Sequence, residues 1–122
     1  MKSDKIIEIS VNALNEKKAK NINAIHVGEL TVIAEYFIMA TATSQHHIKA
    51  LAEEVEEKLE EAGFTADHIE GKATGWLLLE YSGVVIHIFS AEAREYYNLD
   101  RMWADGEKLD LDSILVSARE ED

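Results

Sequence analysis

Cysteine and proline are both absent from these 122 residues. Without cysteine there is no disulfide, no thiolate metal site and no thiol nucleophile. That absence also suits a reducing compartment. With no proline, low-complexity segment or repeat to divide the chain, its length suits one domain spanning residues 1–122. A chain of this size can bury roughly two-thirds of its unfolded surface, so it needs no covalent staple. Long apolar runs are missing as well. Val84-Val85-Ile86 stops at His87, and the charged start Met1-Lys2-Ser3-Asp4-Lys5 is not followed by an apolar stretch of signal type. A cytoplasmic protein that does not enter a membrane is expected. Cations are scarce too, with 12 Lys and Arg against 24 Asp and Glu for a net charge of −12. Such a surface repels phosphate backbones and disfavours broad contact with nucleic acid. It serves solubility, and it would also speed encounter with a basic protein.

The spacing of apolar residues predicts a first helix over Ser3–Lys18, with Ile7, Val11 and Leu14 on one stripe and Ser3 as N-cap. A short strand follows at Ile22–Val27. A connection over Gly28–Ala34 has room for one helical turn. The run Tyr36–Thr41 is nearly all apolar, as in a central strand buried on both faces. Ile48, Leu51, Ala52, Val55, Leu59 and Ala62 then mark a second helix. Thr43 or Ser44 caps its start, and Gly63 and Phe64 close its end. Its acidic face, Glu53 to Glu61, reads as solvated. Thr65–Ile69 reads as a strand and Glu70–Gly75 as a loop. Ala91–Tyr97 reads as a helix and Leu99–Trp103 as a further short turn. An acidic tail starts near Asp105 and contains Ile114-Leu115-Val116. This order predicts an α/β (α+β) fold with a single mixed sheet of about five strands and helices packed on it.

The most informative segment is Trp76–Tyr81, Ser82-Gly83, Val84–Phe89, a two-residue hairpin signal. That turn pairs Tyr81 with Val84, Leu79 with Ile86 and Leu77 with Ile88, all apolar and all on one face. The opposite face pairs Glu80 with Val85, Leu78 with His87 and Trp76 with Phe89. Either a helix covers this mixed face, or it is open to a partner, since aromatic anchors among a few polar groups are typical of binding hot spots. Tyr96, Tyr97, Met102 and Trp103 follow at once.

Catalytic and metal signals are weak. His26, His46, His47, His68 and His87 share no ligand spacing, so no metal or cofactor is expected. Ser44 at a helix start could hold an anion, but the role of N-cap accounts for it. Gly71-Lys72-Ala73-Thr74-Gly75 lacks the P-loop spacing. No carboxylate pair is marked by spacing for acid–base chemistry, so no catalytic residue is assigned.

The ordered set Tyr36-Phe37-Ile38-Met39-Ala40-Thr41-Ala42-Thr43-Ser44, His47-Ile48-Lys49-Ala50, Glu70-Gly71, Trp76–Tyr81, Val84–Phe89, Glu92, Arg94, Tyr96-Tyr97, Leu99 and Trp103 resembles the ribosomal silencing factor (RsfS, or Iojap) family. The resemblance runs from the first helix to about Asp105. It implies a fold similar to the nucleotidyltransferase fold, without catalysis. It implies binding to the large ribosomal subunit through its fourteenth ribosomal protein, which blocks joining of the small subunit and represses translation under nutrient limitation. It also implies a possible homodimer when free. An assembly factor for the large subunit would be an alternative, and a nucleotidyltransferase-type enzyme a remoter one. The partner-facing residues implied are Trp76, Leu78, Glu80, His87, Tyr97 and Trp103, with Phe89, Arg94, Leu99 and Met102 beside them. Three departures from the family pattern stand out: His26 for the usual Asp, Ala42 for the usual Gly, and Ala104 and Gly106 in place of Gly-Asp-Ala after Trp103. A side chain at Ala42 hinders close approach of a phosphate.

Overall fold

A computed structural model describes residues 2–115. The elements are α1 (Lys2–Glu16), β1 (Lys20–His26), β2 (Tyr36–Ala42), α2 (Gln45–Glu61), β3 (His68–Ala73), β4 (Trp76–Tyr81), β5 (Val84–Ser90), α3 (Ala91–Tyr97), α4 (Leu99–Met102) and β6 (Glu107–Lys108). One mixed sheet carries them in the order β3-β4-β5-β2-β1-β6. Only β2 and β5 run parallel among the described pairs; the others are antiparallel.

Side-chain alternation divides the sheet into two unlike faces. Ile38, Ala40 and Ala42 of β2 join Leu79, Tyr81, Val84, Ile86 and Ile88 in one buried cluster, closed by Ile6, Val11 and Leu14 of α1 and Leu51, Val55 and Leu59 of α2. Phe37, Met39, Val85 and Phe89 point the other way into a smaller cluster under α3 and α4. β2 is buried on both faces, as its unbroken apolar run predicts.

The hairpin register matches the sequence prediction pair for pair, from Trp76↔Phe89 to Tyr81↔Val84. Its turn holds Ser82 and Gly83 at φ of 48° and 88°, the double left-handed backbone that suits the twist of a tight hairpin. α2 also forms as expected. The Ser44 hydroxyl accepts the His47 N–H at 3.0 Å, and Gly63 adopts φ 94° with the Phe64 N–H returned to the Leu59 carbonyl. A single α-turn lies in the 28–34 connection, where the Thr31 N–H bonds the Val27 carbonyl.

Three expectations need correction. Ser3 lies inside α1 rather than capping it. Ala62 is the exposed C-cap of α2, not part of its buried stripe. The strand expected at Thr65–Ile69 begins later, at His68, and runs through the residues read as a loop, because pairing with β4 supplies its backbone hydrogen bonds. The single mixed sheet expected with about five strands forms with six. The sixth, β6, arises within the expected acidic tail, where Glu107 and Lys108 pair with β1 and Leu109, Leu111, Ile114 and Leu115 pack onto the main core. Val116 and the rest of that tail lie outside the described residues.

Candidate protein-docking groove

α3 and α4 roof only part of the second sheet face. The rest is a groove of about 400 Å³ floored by β4 and β5. Trp76, Leu78 and Glu80 project from β4, and Val85 and His87 from β5. Leu99, Met102 and Trp103 of the α4 segment form one wall, and Ile33 and Ala34 of the β1–β2 connection extend it. His68, Glu70 and Lys72 stand along the edge strand β3 as the other wall. There Glu70 accepts hydrogen bonds from His68 and Lys72, which lower its pKa. Glu80 has no ion-pair partner among the described residues.

An aromatic cluster sets the floor. The Trp76 ring lies 4.8 Å from Tyr97 and 5.2 Å from Phe89, and the Trp103 ring meets Phe37 edge-on at 5.2 Å. Phe89 and His87 stack in parallel. Trp76 Nε1–H donates to His87 Nδ1 at 3.1 Å. That bond leaves the proton of the neutral imidazole on Nε2, and the buried Nε2 has no protein partner. Burial, helped by nearby Lys72, pushes the His87 pKa down from 6.5 to about 4. The ring is neutral at physiological pH, because the charged form would lose its hydration.

The roof is clamped by Arg94. Its Nε and Nη2 hold both oxygens of Asp100 at 2.9 and 2.8 Å, and Nη1 reaches the Thr41 hydroxyl at 2.9 Å and the Asn21 carbonyl. Asn21 sits at a β-bulge in β1. The Arg94 hydrogen bonds hold the Asp100 carboxyl below its usual range. Charge-assisted, two-pronged pairs of this kind combine strength with fixed geometry. Asn98, at φ 52°, turns the chain between α3 and α4, and the Ser90 hydroxyl caps α3 through the Ala93 N–H.

The residues implied by the family resemblance thus separate by position. Trp76, Leu78, Glu80, His87, Leu99, Met102 and Trp103 line the groove, and Tyr97 packs against Trp76 at its margin. Phe89 has no exposed surface and His87 retains 4%. Alternation puts both on the groove face, where His87 contributes to the floor with little exposed surface and Phe89 lies beneath Trp76. Arg94 is engaged internally. Sequence reasoning missed Ile33, Ala34 and the polar row His68, Glu70 and Lys72. The signal for Ile33 was available, since Val32-Ile33 is an apolar pair in a connection with no helical or strand period to absorb it.

The start of α2 offers little chemistry. The Thr43 N–H is taken by His47 Nδ1 at 2.9 Å, and His47 Nε2 meets the Lys17 carbonyl at 2.8 Å. Among the described residues no group of three or more His, Asp or Glu side chains could hold a metal ion. No helix there is long and apolar enough to cross a membrane.

Comparison with known proteins places this geometry among relatives. Residues 1–122 match the family model described as "Ribosomal silencing factor during starvation" (RsfS). The ribosomal silencing factor RsfS of Bacillus subtilis is 31% identical over 113 residues, covering 92% of this chain and 96% of that protein. A mouse protein named "Mitochondrial assembly of ribosomal large subunit protein 1" is 30% identical over 101 residues, covering 80% of this chain and 44% of its own length. A crystal structure of a Chromobacterium violaceum protein superposes with a TM-score of 0.80 at 32% identity, covering 85% of this chain and 88% of that one.

Proposed function

Because the chain belongs to the ribosomal silencing factor (RsfS) family, whose members are named as regulatory factors rather than enzymes, we propose that it docks on the large ribosomal subunit through the groove over β4 and β5 and blocks joining of the small subunit. The contact is the fourteenth ribosomal protein, and the consequence is repression of translation when nutrients are scarce, in the compartment where ribosomes work. The observation that carries this reading is the half-roofed sheet face. Trp76, Leu78, Met102 and Trp103 offer large apolar surface beside Glu80 and the polar row of β3, the apolar patch with a polar rim that suits a binding hot spot. The net charge of −12 favours a basic ribosomal protein over bare RNA. In the free protein the same face is available to a second copy, giving the homodimer that the resemblance implies.

Sedimentation of ribosomal subunits tests the reading. The chain should travel with large subunits and deplete joined ribosomes. Met102→Asp and Trp76→Ala should weaken both effects while the protein stays folded. Full blocking of subunit joining by both folded variants would refute the assignment of the groove. A second reading, assembly of the large subunit, is favoured by the name of the mouse relative. It predicts precursor subunits accumulating in cells that lack the protein, with joining of mature subunits unaffected.

A further inference from the structure

The β1–β2 connection exposes Leu30, Val32 and Ile33, with Val32 at 102% and Ile33 at 71% of full exposure. A single exposed apolar residue is ordinary; a run of them held on a fixed loop beside an apolar groove marks a contact surface. The loop is fixed by its backbone. Val27 and Gly28 N–H groups bond the Glu35 carbonyl at 2.9 and 3.1 Å, and the Glu35 N–H bonds the Gly83 carbonyl at 2.8 Å. Ala34 is buried as its plug in the core beneath α3 and α4. None of these bonds uses the side chains of Val32 or Ile33, so the loop keeps its shape while presenting them to solvent. Ile33 also lines the groove, which makes the loop tip and the groove one continuous surface.

We propose that Val32 and Ile33 are a second anchor of the docking face, seated on an apolar patch of the same basic ribosomal protein that fills the groove. This rests on the function proposed above and extends the interface from the sheet to the loop. Continuity through Ile33 assigns both surfaces to one partner. The acidic character of the chain, with Glu29 in the loop and Glu80 in the groove, calls for cations around that patch. The hydrogen bonds at the base of the loop and the buried Ala34 restrict its conformations, which lowers the entropy that docking must offset.

The test is a Val32→Ser/Ile33→Ser chain, neutral so that no new charge is introduced, titrated against purified large ribosomal subunits beside the unmodified chain and Met102→Asp. Melting temperature checks folding and light scattering checks self-association. The expected result is binding weakened about 10- to 100-fold with an unchanged melting temperature, the range of losing hot-spot contacts. Binding within twofold of the unmodified chain, while Met102→Asp binds weakly, overturns the loop anchor and leaves the groove reading intact. Altered self-association with unchanged subunit binding also overturns it, by assigning the loop to a second copy. No binding by the unmodified chain refutes both readings together.

Discussion

Replacing His87 with leucine separates two roles of a buried imidazole. At neutral pH the variant loses the Trp76 hydrogen bond, about 1 kcal/mol. It also removes an unpartnered buried N–H, which regains about 1–3 kcal/mol. Leucine is close to histidine in volume, so the variant should be as stable as the parent or slightly more so. Acid changes the comparison. The unfolded ring takes up a proton near its ordinary pKa of 6.5, while the folded ring resists protonation down to about 4. Within that window protons bind preferentially to the unfolded chain, so the parent is most stable above it and loses stability as pH falls. The depression corresponds to about 3 kcal/mol lost between neutrality and the folded pKa. His87→Leu lacks this loss, whereas the carboxylates titrate in both proteins and cancel. Urea unfolding followed by tryptophan fluorescence at several pH values measures the gap. It should widen by about 3 kcal/mol towards acid, and a gap constant across the window would refute the reasoning.

Arg94→Met should destabilise the protein by about 2 kcal/mol, because Asp100 loses its charged partner and keeps only the Asn23 amide as side-chain donor, and the Asn21 carbonyl loses the guanidinium; hydrogen exchange should rise first across α3 and α4. Gly106→Ala brings a Cβ to 2.4 Å from Ile25 Cγ2 and 2.8 Å from the His26 carbonyl oxygen. It should cost about 1–3 kcal/mol, read by thermal melting, with the β6 amides losing protection. The association rate with large subunits should fall about tenfold or more between low salt and half-molar salt, since steering by a net charge of −12 is screened; a salt-independent rate in stopped-flow mixing would contradict charge steering.

The elements legible in the sequence were those whose own residues determine them. The Ser82-Gly83 turn fixes the hairpin register, and the register fixes which side chains share a face. The apolar period of α2 and its Ser44 cap are equally local. What escaped was decided by neighbours. β3 contains His68, Glu70, Gly71 and Lys72, poor strand formers that become a strand because β4 offers unpaired backbone groups. β6 is two charged residues whose strand character comes from β1 alone. At the groove, alternation identified the face but not its roof, so the burial of Phe89 and His87 could not be read. The internal bonds of Arg94, which the resemblance placed beside the partner-facing residues, could not be read because its partners lie on three other segments of the chain.

The parallel pairing of β2 with β5, from Tyr36↔Val84 to Ala42↔Ser90, has a consequence for the order of folding. α2, β3 and β4 all lie between the two partners, so a chain growing from its N-terminus makes β2 long before its central neighbour exists. Until then Ile38 and Met39 have a strand on one side only, and the sheet cannot close. Long-range parallel contacts of this kind slow folding from the microsecond scale of local helices towards about milliseconds. Trp76, Leu78 and Trp103 come together only after the last of these residues has been added, so a nascent chain carries no assembled groove.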